Sequence, residues 1–358
     1  MAMLQIFKVV MITVAIMPWF SRAMDDPHLR QLAAKYNVTC VLIFGDSSVD
    51  AGNNNALQTT MKSNFLPYGK DFFNGIPTGR FSNGRLPTDF IAEALGFKQI
   101  VPAFLDPNLK LADLPYGVSF ASAATGYDDY TANISNVLSV SKQLEYFAHY
   151  KIHMRKLLGK NRAEFIIRNA LFILSMGTND FLQNYYLVPD RPKQFSVEQF
   201  QNFLVSKMSH DIEVMYRLGA RRIVIVGVPP LGCIPLTRTL MSQKDCVESL
   251  NRVAYSFNAK QQQKLTKLKA KLGLMTAYLD VYGIIRRAVA DPKAYGFEEV
   301  SKGCCGTGTV EYGDSCKGMS TCSDPTKYVF WDAVHPTEKM YGIIADEATE
   351  TIAREFIG

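Results

Sequence analysis

The sequence predicts an α/β fold built on a parallel central sheet, and three observations carry that prediction. Five short apolar runs alternate with long amphipathic segments. One run, Arg222 to Val228, is apolar almost without a break, as expected for a strand covered on both faces. No linker-like tract and no internal repeat divides the chain, so residues 24–358 read as a single domain. In order, Cys40 to Phe44 is a β-branched run ending at Gly45, and residues 50–85, rich in Gly, Asn and Pro, read as loop. Leu86 to Leu95 has helical spacing with Gly96 as a stop, and Gly117 to Ala123 is a second strand. Val137 to Leu158 is amphipathic and ends at Gly159; Ala170 to Met176 is a third strand, closed by Gly177. Ser196 to Leu218 is a long helix, with Ser196 and Gln199 at the spacing of a capping box and Gly219 as its stop. Val247 to Leu272 is another, Leu274 to Leu279 is the fifth strand, and a final helix runs from about Thr337 to Phe356.

Composition bounds the function. The chain has 358 residues, 47% hydrophobic and 20% charged, too apolar for a disordered protein, and 24 Gly with 16 Pro is far from a collagen pattern. A net charge of +6 over this length, with no basic stripe interleaved with aromatics, disfavours a nucleic-acid partner.

Met1 to Ala23 reads as a secretory signal peptide. Lys8 precedes an apolar run from Val9 to Phe20, and Ser21-Arg22-Ala23 offers a small-residue cleavage site. That run of 12 is too short to span a membrane, which takes ~20 apolar residues, and no later segment looks transmembrane. Removing the leader takes away Lys8 and Arg22 and no acid, which leaves +4. A secreted chain makes the seven cysteines a disulfide question. Cys233 and Cys246 flank a short loop and form the favoured pair. Cys304, Cys305, Cys316 and Cys322 crowd the 300–327 stretch and pair among themselves in one of three connectivities, which makes that stretch a stapled loop. Zinc fits less well, because adjacent Cys304 and Cys305 cannot readily supply two tetrahedral ligands and no C-x-x-C occurs. Cys40 is left as a buried free thiol. The sequons at Asn37 and Asn133 suit a secreted glycoprotein.

In open α/β sheets the site lies at the carboxyl ends of the strands. Here those ends read Gly45-Asp46-Ser47, Gly126, Gly177-Thr178-Asn179-Asp180 and Val228-Pro229-Pro230. Ser47 is placed either to cap a helix or to act as a nucleophile, and a serine nucleophile needs a base. Of five histidines, His149, His153 and His210 fall in amphipathic helices and His28 lies near the mature N-terminus. His335 differs. It follows Asp332 by three residues, so one turn lets the carboxylate reach the imidazole and fix its tautomer. Acyl transfer also needs donors aimed at the developing oxyanion. Asn179, the Ser47 amide and a backbone N–H from the 117–126 turn are available.

These residues fall in motifs that resemble the plant GDSL esterase/lipase family of the SGNH hydrolases. The motifs are FGDSSVDAGNNN at 44–55, PTGRFSNGR at 77–85, GVSFASAATG at 117–126, GTND at 177–180, GVPPLGC at 227–233 and FWDAVHPTE at 330–338. The resemblance covers about residues 38–357. It implies a three-layer α/β/α sandwich with a five-stranded, mainly parallel, flavodoxin-like sheet. It also implies Ser47 as nucleophile, His335 as base, Asp332 as its partner and Asn179 as oxyanion donor. The family adds a glycine amide from the second motif. This chain carries Ala124 in place of one glycine there, so the amide is assigned to Gly126 with Ala124 as rival. An Ala124 amide could still serve if its φ is negative. The first motif reads Gly-Asp-Ser-Ser where the family name expects Leu last, a position beyond the nucleophile. The implied activity is hydrolysis of a small-molecule or lipid ester, with no metal or organic cofactor. An acyltransferase sharing the acyl-enzyme and a silent binding protein are the alternatives. No G-x-S-x-G elbow is present, which argues against an α/β-hydrolase lipase. Loops at 50–80, 125–135 and 181–195 are expected to form the pocket, the last through Phe181, Tyr185 and Tyr186.

Overall fold

A computed structural model describes residues 27–357; the leader expected over 1–23 lies outside them. The central sheet is five parallel strands: β1 (Val41–Gly45), β2 (Gly117–Ser119), β3 (Leu171–Ser175), β4 (Arg222–Val226) and β5 (Met275–Leu279), in the order β2-β1-β3-β4-β5. The helices, in chain order, are α1 (Pro27–Lys35), α2 (Pro87–Ala94), α3 (Asp129–Ser135), α4 (Val140–Leu158), α5 (Lys160–Asn169), α6 (Asp190–Gln194), α7 (Val197–Leu218), α8 (Pro235–Leu240), α9 (Glu248–Leu272), α10 (Val281–Ala290) and α11 (Glu338–Ile352). A two-stranded parallel ribbon, β6 (Glu299–Gly303) and β7 (Tyr328–Phe330), precedes the last helix.

Strand periodicity builds the sandwich. Leu42 and Phe44 of β1, Phe172 and Leu174 of β3, and Ile223 and Ile225 of β4 face α4, α5, α7 and α9. Val41 and Ile43, Leu171 and Ile173, and Val224 face α1, α2, α10 and α11. Every residue of β1 and β3 is buried, which explains the continuous apolar runs in the sequence. Phe44 anchors the first layer, stacked on Phe120 at 5.0 Å and edge-on to Phe147 at 5.7 Å.

Some boundaries shift for identifiable reasons. The second strand stops at Ser119 because side chains take over its carbonyls: Asn53 Nδ2 donates to the Ser119 and Ala121 carbonyls at 2.8 Å, and Asn54 Nδ2 to that of Ala123 at 3.1 Å. The helix expected from Val137 starts after Ser139, whose hydroxyl caps it at the Lys142 amide. The capping box of Ser196 and Gln199 is present as read. Helices α1, α3, α5, α6, α8 and α10 have no counterpart in the sequence reading, although Asp280 caps α10 and Val281, Ile284, Ile285 and Ala288 mark its buried face.

The loop around the sheet end is tied down by a buried ion pair. Arg80 meets Asp89 through two bonds of 2.9 Å, and both side chains are almost fully buried. Arg80 also donates to the Ala51 and Val101 carbonyls, while Asp89 accepts from the Leu86 and Val101 amides. The cysteines pair as Cys233–Cys246, Cys304–Cys322 and Cys305–Cys316, and Cys40 is free and buried. Among the described residues no helix is long and apolar enough to cross a membrane.

Two stability predictions follow from the buried charges. Arg80→Ala leaves the Asp89 carboxylate buried and unpaired, so chemical denaturation should show a loss of about 3–5 kcal/mol. Asp211 of α7 is buried with one carboxylate oxygen unpartnered, and burial pushes its pKa up to about 7. An acid raised in the folded state subtracts stability as pH climbs from its unfolded value toward 7. Asp211→Asn should therefore raise Tm at pH 8, and the gain should shrink toward pH 5. A gain independent of pH would contradict the ionisation account.

Candidate active site

The sheet order reverses between β1 and β3, so the connections leaving their carboxyl ends diverge and open a crevice there. Ser47 follows β1 and Asn179 follows β3, which puts both at that crevice. The chain can turn out of β1 because position 45 is glycine. Gly45 has φ +146°, and a Cβ there would lie 2.0 Å from the Ser175 carbonyl oxygen of the neighbouring strand. Gln143 of α4 clasps this end, accepting from the Gly45 amide and donating to its carbonyl, each at 3.0 Å.

Ser47 Oγ lies 2.8 Å from His335 Nε2, across 288 residues of chain. His335 Nδ1 lies 2.8 Å from Asp332 Oδ2. Asp332 is fully buried and is surrounded by donors. Its Oδ1 accepts from the amides of Val334 at 2.8 Å and His335 at 2.6 Å, and its Oδ2 accepts from the Tyr68 hydroxyl at 2.7 Å. Tyr68 accepts in turn from the Gly313 amide at 2.7 Å. A carboxylate so placed is an acceptor only, so the imidazole presents Nδ1–H to it and leaves Nε2 to accept from Ser47. The Phe81 ring packs 4.8 Å from the imidazole and shields it.

The Trp331–His335 turn is held from outside as well. The Trp331 amide donates to the His335 carbonyl at 2.7 Å, and the amides of Cys304 and Cys305 both donate to the Trp331 carbonyl at 2.8 Å. The two disulfides of the stapled loop thus grip the segment that carries both Asp332 and His335. Beyond it, Thr337 caps α11 through the Met340 amide.

On the nucleophile side, Asp46 is buried and its Oδ1 accepts from the Ser48 amide and hydroxyl at 2.9 and 2.8 Å. Burial raises its pKa and the bonds from Ser48 oppose that rise. Asp50 accepts from the amides of Gly52, Asn53 and Ala123, which welds the first loop to the 117–126 segment. Desolvation pushes its pKa up to about 6 against those three donors.

The proposed oxyanion donors separate in space. Asn179 lies beside Ser47 and donates through Nδ2 to the Thr125 carbonyl at 3.0 Å, which fixes its amide and leaves a second N–H. Ala124 lines the same cavity, and its amide makes no hydrogen bond to the protein among the described residues. Gly126 does not line that cavity: a Cβ there would lie 2.2 Å from an Asp180 carboxylate oxygen. Asp180 also accepts from the amides of Tyr127 and Asp128 and from the Thr131 hydroxyl, and burial raises its pKa to about 7. Gly126 is therefore small to let the chain pass this carboxylate, and Ala124 shares the cavity of Ser47. Ala124 does not adopt the negative φ expected of it. Its φ is +69°, in the left-handed region, yet its amide remains free there.

Two cavities meet at Ser47. The outer, about 60 Å³, is lined by Met61, Phe81, Leu182, Leu187, Leu236 and Tyr312. The inner, about 90 Å³, runs from Ser47 and His335 between the sheet and helices α10 and α11. The aromatic residues expected to line the pocket do not. Phe181 and Tyr185 are buried against Phe200, with Phe181 also edge-on to Phe257, and Tyr186 packs on the same core. The segment 125–135 contributes no wall residue to either cavity. Tyr68, the second partner of Asp332, was missed, since its only sequence signal is an aromatic residue in a polar loop. Among the described residues no cluster of three or more His, Cys, Asp or Glu side chains is arranged to hold a metal ion.

A family model described as GDSL-like lipase/acylhydrolase matches residues 41–348. The GDSL esterase/lipase At5g45950 of Arabidopsis thaliana is 56% identical over 352 residues, covering 98% of each chain. A second protein of that plant, GDSL esterase/lipase At4g26790, is 45% identical over 326 residues, covering 88% of this chain and 93% of its own. GDSL esterase/lipase At2g42990, also from Arabidopsis thaliana, is 46% identical over 314 residues, covering 86% of this chain and 90% of its own. With a family model spanning most of its length and relatives this similar over nearly all of it, the chain belongs to the GDSL-like lipase/acylhydrolase family.

Proposed function

We propose that this chain, a carboxylic-ester hydrolase by its family, is a secreted serine esterase that works through an acyl-enzyme on Ser47. The observation that carries the reading is the unbroken relay from Ser47 Oγ through His335 to the buried Asp332, with 2.8 Å at each link. His335 Nε2 takes the hydroxyl proton as Ser47 Oγ bonds to the ester carbonyl carbon. Asp332, itself positioned by the Tyr68 hydroxyl, stabilises the imidazolium that forms. The oxyanion is met by the Ser47 and Ala124 amides and by Asn179 Nδ2. His335 then gives its proton to the leaving alcohol as the C–O bond breaks, and water, activated by the same imidazole, releases the acid. Secretion rests on the leader at 1–23 and on three disulfides, which persist in oxidising compartments. Asn37 and Asn133 are both exposed and are the proposed glycosylation sites.

Steady-state kinetics on p-nitrophenyl esters test the roles. Ser47→Ala should lower kcat/KM by ~10⁴-fold or more with Tm unchanged; a folded Ser47→Ala enzyme with full turnover would refute the mechanism. Asn179→Ala should lower kcat by ~10²–10³-fold with little change in KM. Tyr68→Phe keeps the ring and removes one donor from Asp332, so kcat should fall about tenfold at constant KM.

A further inference from the structure

We infer that the inner cavity is the acyl site, and that it selects a short acyl chain of about four carbons. The inference rests on the serine-esterase reading above. In that reaction the alcohol must leave before water attacks, while the acyl group stays bonded to Ser47 Oγ through both halves. The two cavities at Ser47 differ accordingly. The outer one is walled by loop side chains, and Leu187 among them is 58% exposed, so a leaving group there has a route to solvent. The inner one ends in the core. Its far walls are Ile173 and Val224 from the sheet, Ile285 from α10, and Ile344, Ala348 and Ile352 from α11, all buried.

The polar groups of the inner cavity gather at its neck. Asp46, Ser48 and Ser175 lie there and bond to one another, so they ask nothing of a substrate. Thr88, Thr178 and Tyr341 add hydroxyls, that of Tyr341 buried and without a protein partner among the described residues, and the remaining wall away from Ser47, Asn179 and His335 is mainly hydrocarbon. A space so lined suits an alkyl chain better than a sugar or a charged group. Its size sets the length. An apolar cavity of about 150 Å³ holds the six carbons of benzene, so the 90 Å³ here holds about four. Ala348 is the smallest side chain among the far walls, so the room at that end depends on it.

The test is a p-nitrophenyl ester series from acetate through butyrate and octanoate to palmitate, on the intact secreted enzyme. Each methylene moved from water into the cavity raises kcat/KM about fourfold, so butyrate should exceed acetate by about 15-fold. Octanoate and palmitate should fall below butyrate. Ala348→Leu should erase the preference of butyrate over acetate while Tm holds or rises, because the added atoms fill existing space. Ile285→Ala lengthens the site and should move the optimum toward octanoate, which gives a second reading if Ala348→Leu does not fold. The inference is overturned if kcat/KM climbs steadily to palmitate, or if folded inner variants leave the profile unmoved while Leu236→Trp in the outer cavity shifts it. Failure to turn over any ester of the series would instead count against the serine-esterase reading.

Discussion

A carboxylate sealed from water must be met by donors, and the site is assembled around that requirement at Asp332. Its two oxygens receive two backbone amides of its own turn, the His335 ring and the hydroxyl of Tyr68. Each donor belongs to a segment that is itself held. Tyr68 is gripped by Gly313 of the stapled loop, and the Trp331–His335 turn hangs from the amides of Cys304 and Cys305. Losing any of these leaves a buried charge short of a partner, a far larger penalty than a loose surface bond. The imidazole orientation is thus enforced by the cost of the alternative.

The same device recurs around the crevice. Asp50 gathers three amides and joins the loop after β1 to the segment after β2. Asp180 gathers two amides and a hydroxyl and fixes the chain beyond Gly126. Arg80 and Asp89 close the far side of the first long loop. The sheet supplies a rigid platform by burying apolar residues on both faces, and its loops add only a small apolar cluster around Tyr68, Phe81 and Trp331. Buried carboxylates organise them as well, and the raised pKa values of Asp50 and Asp180 reflect the cost of desolvation there.

The sheet and the Asp332–His335 pair were legible because both are written locally. Continuous apolar runs mark β1, β3 and β4, and Asp332 reaches His335 across one turn. What escaped was set by distant parts of the chain. Tyr68 lies 264 residues from Asp332, and no spacing rule connects them. Ala124 and Gly126 are two residues apart, so only the fold decides which faces Ser47. The aromatic residues after Asn179 looked like a pocket lining, but the wide helical turn over Asp180–Tyr185 turns Phe181 and Tyr185 into the core and leaves Leu182 at the site. The pairing of the four clustered cysteines likewise needed three dimensions.

Ser47 lies near the start of the chain and His335, its proposed base, near the end, 288 residues later. During synthesis β1 and the Ser47 turn emerge first, and at ~5–20 residues per second the imidazole follows only when almost the whole chain exists. Until then Ser47 has no base. Under the proposed mechanism a nascent chain carries the Ser47 motif without its base, and turnover reports that the two segments have met.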